Sequence, residues 1–232
     1  MRSADLPEVR ELDLFRSVSD SNFEDLLQAA YLQSFPAQVE LIREGERADF
    51  LFVVMEGRVE LYGSTNGRES TLMIVEPVST FILAAVVRDA VYLMSARTCT
   101  KSRLLMIPAS NVRAAFGADA AFAGAVVAEL ANSYRSAIKE LKNQKLRTSV
   151  ERLANKLLTL HVEQGGRGVI ALPYDKRLLA SLLGMAPENL SRAFNTLQPY
   201  GVSVNGSEIR LTNLADLETL AKPAPLLDDR SA

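Results

Sequence analysis

Three side chains in the stretch Leu183–Leu197, LGMAPENLSRAFNTL, have types and spacing suited to reading bases. Glu188, Ser191 and Arg192 stand at i, i+3 and i+4, which puts them on one side of a helix. An arginine donates two hydrogen bonds to O6 and N7 of guanine, a glutamate accepts from the N4 amine of cytosine, and a serine is a short adaptable contact. A good bidentate pair discriminates by about 1–3 kcal/mol. Asn189 lies beside them as a further polar candidate. Leu190, Phe194 and Leu197 recur at helical spacing and form a face that packs. The same residues also suit a plainer reading, an exposed helix whose Glu188–Arg192 pair is worth about 0.2–0.5 kcal/mol.

A side chain reads DNA only when something aims it. Asp175 is placed to cap a helix over 176–183, Gly184 turns the chain, and Pro187 suits the first turn of the next helix. Helix, glycine turn and helix is the helix-turn-helix arrangement, packed through Leu178, Leu179, Leu182, Leu190 and Phe194. Its second helix enters the major groove N-terminus first. Lys176 and Arg177, at the start of the first helix, suit phosphate contacts that set register. Upstream, Val150, Leu153, Leu157, Leu158 and Leu160 define another helix with Ser149 as N-cap, followed by the loop EQGGRG and the short strand VIALPY. Downstream, VSVNGSEIRL reads as a hairpin with Asn205-Gly206 at its tip.

The first half of the chain has a different texture. Residues 8–32 carry apolar residues at helical spacing, with Asp20 and Ser21 as N-cap candidates for a second piece. From about 35 to 108 the runs become short and rich in Val, Ile, Leu, Phe and Tyr. Asn66-Gly67 sits between two of them as a hairpin signal. Further strands are expected near Val86–Val87, Tyr92–Thr98 and Ser102–Ile107, giving an antiparallel sandwich or barrel. A short turn follows at Asn111–Phe116. Asp119 then caps a long helix whose stripe of Phe122, Val126, Val127, Leu130, Tyr134, Ala137, Ile138 and Leu141 suits either a helix lying on its own core or, because the stripe outruns one small sandwich, a dimer coiled coil.

The net charge of −2 hides an asymmetry: residues 1–138 carry 13 Lys/Arg against 18 Asp/Glu, whereas 139–201 carry 10 against 5. A basic block beside an acidic domain fits a polyanionic partner. No apolar run of 18 residues argues for a membrane span, and the charged N-terminus does not read as a signal peptide. The expected location is cytoplasmic, without a membrane partner. One cysteine, Cys99, cannot hold an iron–sulfur cluster. Neither a P-loop, a metal-spaced His/Cys cluster nor a G-x-S-x-G stands in the sequence, which argues against an enzyme.

The order of N-terminal helix, β-roll, long helix and winged helix-turn-helix over roughly 10–221 resembles the CRP/FNR regulators. PENLSRAF is the most specific part, matching the E-x-x-S-R pattern of the FNR-like branch at Glu188, Ser191 and Arg192. The resemblance implies an α+β chain in three parts: a cyclic-nucleotide-binding-like β-roll with its N-terminal helix (1–118), a dimerisation helix (119–146) and a winged helix-turn-helix (147–232). It implies a homodimer on a palindrome of TTG-N8-CAA type, acting as an activator with RNA polymerase as a further partner.

Departures from the family bear on the signal. Cyclic-nucleotide members carry a Gly-Glu and an Arg-Ser in the roll. Here TFILAA puts Ala84 near the first glutamate, and AVYLMSA puts Tyr92 and Leu93 near the Arg and Ser. A cyclic phosphate meets no cation there, so cAMP is not expected, and neither is an oxygen-labile cluster. PVSTFILAAVVRDAVYLMSAR looks most like the NnrR stretch, and with the Dnr group this implies control of nitrogen-oxide genes by nitric oxide. The cofactor is unknown. A haem needs an axial donor, for which Tyr92 is the candidate in the roll; the single histidine, His161, lies in the DNA-domain helix. The alternatives are a FixK-like regulator without ligand and a β-roll module that dimerises without binding DNA.

Overall fold

The computed structural model describes residues 5–228. The chain forms two compact units that divide inside its longest helix, between Tyr134 and Arg135.

The first unit opens with two short helices, α1 (Leu6–Arg10) and α2 (Asp20–Leu26), and a strand, β1 (Tyr31–Phe35). Helix over 8–32, with a second piece capped by Asp20 or Ser21, was the expectation from spacing. Two pieces form around a turn at 11–19, but Ser19 takes an extended backbone and its Oγ accepts from Asn22 N–H, so Ser19 rather than Asp20 or Ser21 caps α2, and residues 31–32 belong to β1. The apolar residues still go inside: Val9, Phe15, Phe23 and Leu26 are buried, and Phe15 stacks on Phe122 at 6.3 Å.

Strands β2 (Glu40–Ile42), β3 (Phe50–Glu56), β4 (Val59–Thr65), β5 (Arg68–Val75) and β6 (Ser79–Phe81) precede helix α3 (Leu83–Arg88). Then come β7 (Ser95–Thr98) and β8 (Ser102–Pro108). Two antiparallel sheets, ordered β1-β8-β3-β6 and β2-β7-β4-β5, enclose one apolar core. Asn66 and Gly67 form the β4–β5 turn with φ of 50° and 73°, as a two-residue primed turn requires. Val86–Val87 is helical, not extended. Leu83 and Val86, one turn apart, are both buried in the core, and that burial overrides the strand preference of a Val-Val pair. The strand expected from Tyr92 begins only at Ser95. The expected turn at Asn111–Phe116 is a full helix, α4 (Ala109–Ala118), with Ala109, Val112 and Ala115 buried.

Helix α5 (Ala120–Leu146) runs 27 residues. Asp119 anchors its start: Oδ1 accepts from Phe122 N–H at 2.9 Å, and Oδ2 from Asn22 Nδ2 at 2.8 Å and Ser19 N–H at 3.2 Å. The apolar stripe splits in two. Phe122 and Val126 are buried on the roll, whereas Val127, Tyr134, Ile138 and Leu141 are exposed. No single helix among the described residues is long and apolar enough to cross a membrane.

The second unit holds the end of α5, then α6 (Ser149–Glu163), β9 (Val169–Ala171), α7 (Lys176–Leu182) and α8 (Pro187–Leu197). A hairpin of β10 (Val202–Asn205) and β11 (Glu208–Leu211) pairs back onto β9, and α9 (Leu214–Ala221) and α10 (Pro225–Asp228) close the unit. The cap of α6 is Thr148, one residue before the expected Ser149: its Oγ1 accepts from Glu151 N–H while the Glu151 carboxylate accepts from Thr148 N–H, a capping box. The β10–β11 turn is Gly206-Ser207, with Asn205 ending its strand.

Candidate nucleic-acid interface

Asp175 caps α7 as its position suggests, its Oδ1 accepting from Leu178 N–H at 2.8 Å. Gly184 then turns the chain with φ +63°, a conformation that glycine adopts without the penalty a Cβ incurs. Leu179, Ala180 and Leu183 are buried from α7 and the turn, and Leu190, Ala193, Phe194 and Leu197 from α8. The expected packers Leu178 and Leu182 are only half-buried, because the contact runs through the neighbouring positions. Eleven residues of α8 thus have one side sunk in the core and one side in solvent.

Glu188, Asn189, Ser191 and Arg192 all lie on the solvent side, as do Lys176 and Arg177 at the start of α7. Among the described residues no ion pair joins Glu188 to Arg192, so the plainer reading of that spacing has no support in the geometry. Ser191 Oγ donates to the carbonyl of Pro187 at 3.2 Å. Lys176, Arg177, Ser191 and Val204 border a depression of about 350 Å³. Asn195 and Gln198 border it too, and the sequence reading missed both. The signal was available for Asn195, which stands seven residues after Glu188 and four after Ser191 on the same helical face. A cationic rim, amide side chains and a three-residue reading face suit one strand of a nucleic-acid duplex, with the cations on phosphate and α8 on base edges.

Two family models match the chain: the cyclic nucleotide-binding domain over 32–119 and the Crp-like helix-turn-helix domain over 151–220. The chain belongs to the CRP/FNR family. It is a DNA-binding transcription regulator of that type, and its fold is that of regulators rather than enzymes. Among solved structures it is similar to FixK2 from Bradyrhizobium japonicum, with 25% identity over 85% of this chain and 100% of that one, at a TM-score of 0.72. It is also similar to a protein of Silicibacter pomeroyi DSS-3 described as a candidate cAMP-binding regulatory protein, with 28% identity over 96% and 100% and a TM-score of 0.59. DNR from Pseudomonas aeruginosa shares the fold at 24% identity over 95% and 99%, with a TM-score of 0.51. No curated protein matches the chain.

The CRP/FNR roll is where a cyclic nucleotide binds in members that use one, and the residues here do not fit it. Phe81, Leu83 and Val86 from β6 and α3 are buried in the core, Ala84 carries no polar group, and the segment's cation, Arg88, is exposed at the last turn of α3. Leu93 is 77% exposed and offers neither charge nor hydroxyl. A haem axial ligand fits no better. Tyr92 is buried among core residues; burial pushes its hydroxyl up, against the backbone N–H groups of Phe50 and Asp49 that act on it in the other direction. His161 is buried in α6, in the other unit, with Nδ1 lacking a hydrogen-bond partner among the described residues. Cys99 is half-buried in the turn after β7, its N–H donating to the Arg58 carbonyl at 2.8 Å.

Proposed function

We propose that the chain works as a homodimer on a two-fold-symmetric duplex, with α8 of each protomer in the major groove of one half-site. The observation that carries this is the exposed trio Glu188, Ser191 and Arg192 on α8, flanked by Lys176 and Arg177. The E-x-x-S-R match supports half-sites of TTG and CAA in a TTG-N8-CAA arrangement, one helical turn apart. The exposed stripe of Val127, Tyr134, Ile138 and Leu141 along α5 supports a second copy as the partner of that helix. Such a dimer acts in the cytoplasm as an activator beside RNA polymerase. A β-roll module that merely dimerises, the other reading of the sequence, has no use for a Crp-like helix-turn-helix or for an exposed Arg192.

The deciding experiment is fluorescence anisotropy of the untreated protein on TTG-N8-CAA and on a scrambled duplex, at stated salt because phosphate contacts make affinity salt-dependent. Selective binding that Arg192→Ala weakens is the expected result. Equal binding to both duplexes by the parent protein, untreated and after nitric oxide, sinks the proposal.

For control, we infer a response to nitric oxide acting on nitrogen-oxide respiration or detoxification genes, on the likeness of residues 77–97 to the NnrR stretch. A FixK-like regulator that needs no ligand is the second reading, favoured by the buried position of Tyr92. Selective binding by the untreated protein, unchanged by nitric oxide, supports the second reading against the first.

A further inference from the structure

One guanidinium ties the end of α5 to the turn of the reading head. Arg152, in the first turn of α6, donates from Nε to the carbonyl of Leu183 at 2.9 Å. Its Nη1 donates to the carbonyls of Arg147 at 2.8 Å and of Gln144 at 3.5 Å. Leu183 follows α7 immediately before Gly184. Gln144 lies in the last turn of α5 and Arg147 in the joint after it, where carbonyls lose their intrahelical partners and favour a cation. A second contact joins the same two places. The Gln144 side chain reaches the turn, its Oε1 standing 2.6 Å from where a Cβ on Gly184 would lie; that flexible amide can move aside, so it is the φ of +63° that calls for glycine.

We infer that Arg152 is a positioning residue for DNA reading: it fixes the aim of α8 relative to the last turns of α5, and so the separation of the two reading heads in a dimer. The inference rests on the dimeric DNA-binding function proposed above. Its physical basis is avidity. When both heads fit one duplex, the second contact is intramolecular, and a mismatch between head spacing and half-site spacing forfeits it. A planar guanidinium with donors in a fixed fork can hold three carbonyls in one geometry, which a lysine ammonium on a flexible stem cannot. Arg152 spends its hydrogen bonds on protein carbonyls, so its effect on DNA acts through geometry.

The test uses the full chain and two variants, Arg152→Lys and Arg152→Ala, titrated on a single TTG half-site and on duplexes whose half-sites are separated by seven, eight, nine or ten base pairs. The unmodified protein is expected to prefer one spacer by about 100-fold. Both variants are expected to lose most of that preference while keeping discrimination between TTG and a scrambled half-site. Arg152→Lys keeps the charge and stem, so it guards against a variant that fails to fold. Unchanged spacer preference in Arg152→Lys overturns the inference, and so does a parallel loss of spacer and half-site selectivity with a lowered melting temperature. If the unmodified protein itself ignores the half-site sequence, the DNA-reading proposal fails; if it is selective and only the spacer result is negative, this inference alone fails.

Discussion

Arg147 grips Asp228 across 81 residues of chain, Nη1 and Nη2 donating to the two carboxylate oxygens at 2.8 and 2.6 Å. The Arg147 side chain is only 9% exposed, and Asp228 Oδ2 also accepts from Ala224 N–H at 2.6 Å. The segment after α9 therefore folds back onto the joint between α5 and α6. Two neighbouring contacts follow the same path: Lys222 Nζ to the Glu151 carboxylate at 3.0 Å, and Asn155 Nδ2 to the Ala221 carbonyl at 2.6 Å.

Arg147→Ala leaves the Asp228 carboxylate without its cation and is expected to cost about 1–2 kcal/mol. Burial pushes the Asp228 carboxyl up, but the Arg147 hydrogen bond and the Ala224 N–H outweigh it, and the net position is below the usual carboxylate range. A depressed carboxyl contributes stability above its unfolded value that is lost as pH falls through its folded value. Urea midpoints of parent and variant are expected to differ at pH 7 and to converge in acid. A gap that persists at the lowest pH removes the ion pair as its cause.

Glu151 is held down to about 2 by the Thr148 N–H first, then by Lys222 and the Thr148 hydroxyl. Its contribution is complete above the ordinary value of 4.5 and is lost as pH drops from there toward 2. Glu151→Gln is expected to flatten the acid limb of the stability curve in that window. Thr148→Ala, which removes the cap, is expected to cost about 1 kcal/mol by thermal melting.

Arg192→Ala is expected to reduce discrimination at one base pair of each half-site by about 5- to 150-fold, the equivalent of about 1–3 kcal/mol. Glu188→Ala is expected to relax a different position. Competition binding with single-base variants of the duplex measures both. A loss spread evenly over all positions assigns these side chains to the phosphate backbone instead.

Lys176→Ala and Arg177→Ala are expected to weaken binding uniformly across sequences and to lower the salt slope by about 1 each. Titrations over a series of salt concentrations supply that slope. An unchanged slope places the two cations off the duplex.

Leu141→Glu and Tyr134→Glu put a charge on the exposed stripe of α5, where neither side chain supports the core. Both variants are expected to keep their melting temperature and to shift the protein toward monomer in sedimentation. Dimers of unchanged affinity would mean that another surface joins the copies.

The legible parts of the sequence are those governed by neighbours a few residues away. Asn66-Gly67 makes its turn because both residues accept positive φ. Asp175 caps α7 because its carboxylate lies three residues before an unpaired N–H. The two faces of α8 follow from helical period alone, and they sufficed to place Glu188, Ser191 and Arg192 in solvent. Errors arose where a distant partner competed with local preference. Val86 and Val87 read as strand, yet Leu83 and Val86 are buried one turn apart in a helix. The apolar spacing of 8–32 was right about a second helical piece and wrong about its cap, which is Ser19, and about residues 31–32, which open β1.

By itself the sequence determined the succession of a strand-rich half, a long helix and a helix-turn-helix closed by a hairpin, the apolar and polar faces of α8, and a roll segment without phosphate-binding groups, because each follows from residue type and short-range spacing. Tertiary structure alone decided that Tyr92 is buried with its ring in the core. It also decided that Phe122 and Val126 of the α5 stripe are buried on the roll while Val127, Tyr134, Ile138 and Leu141 are exposed, and that Arg152 and Asp228 brace the joint between α5 and α6. Those relations join groups far apart in sequence, such as a guanidinium and carbonyls left over at helix ends, and no residue-to-residue period encodes them.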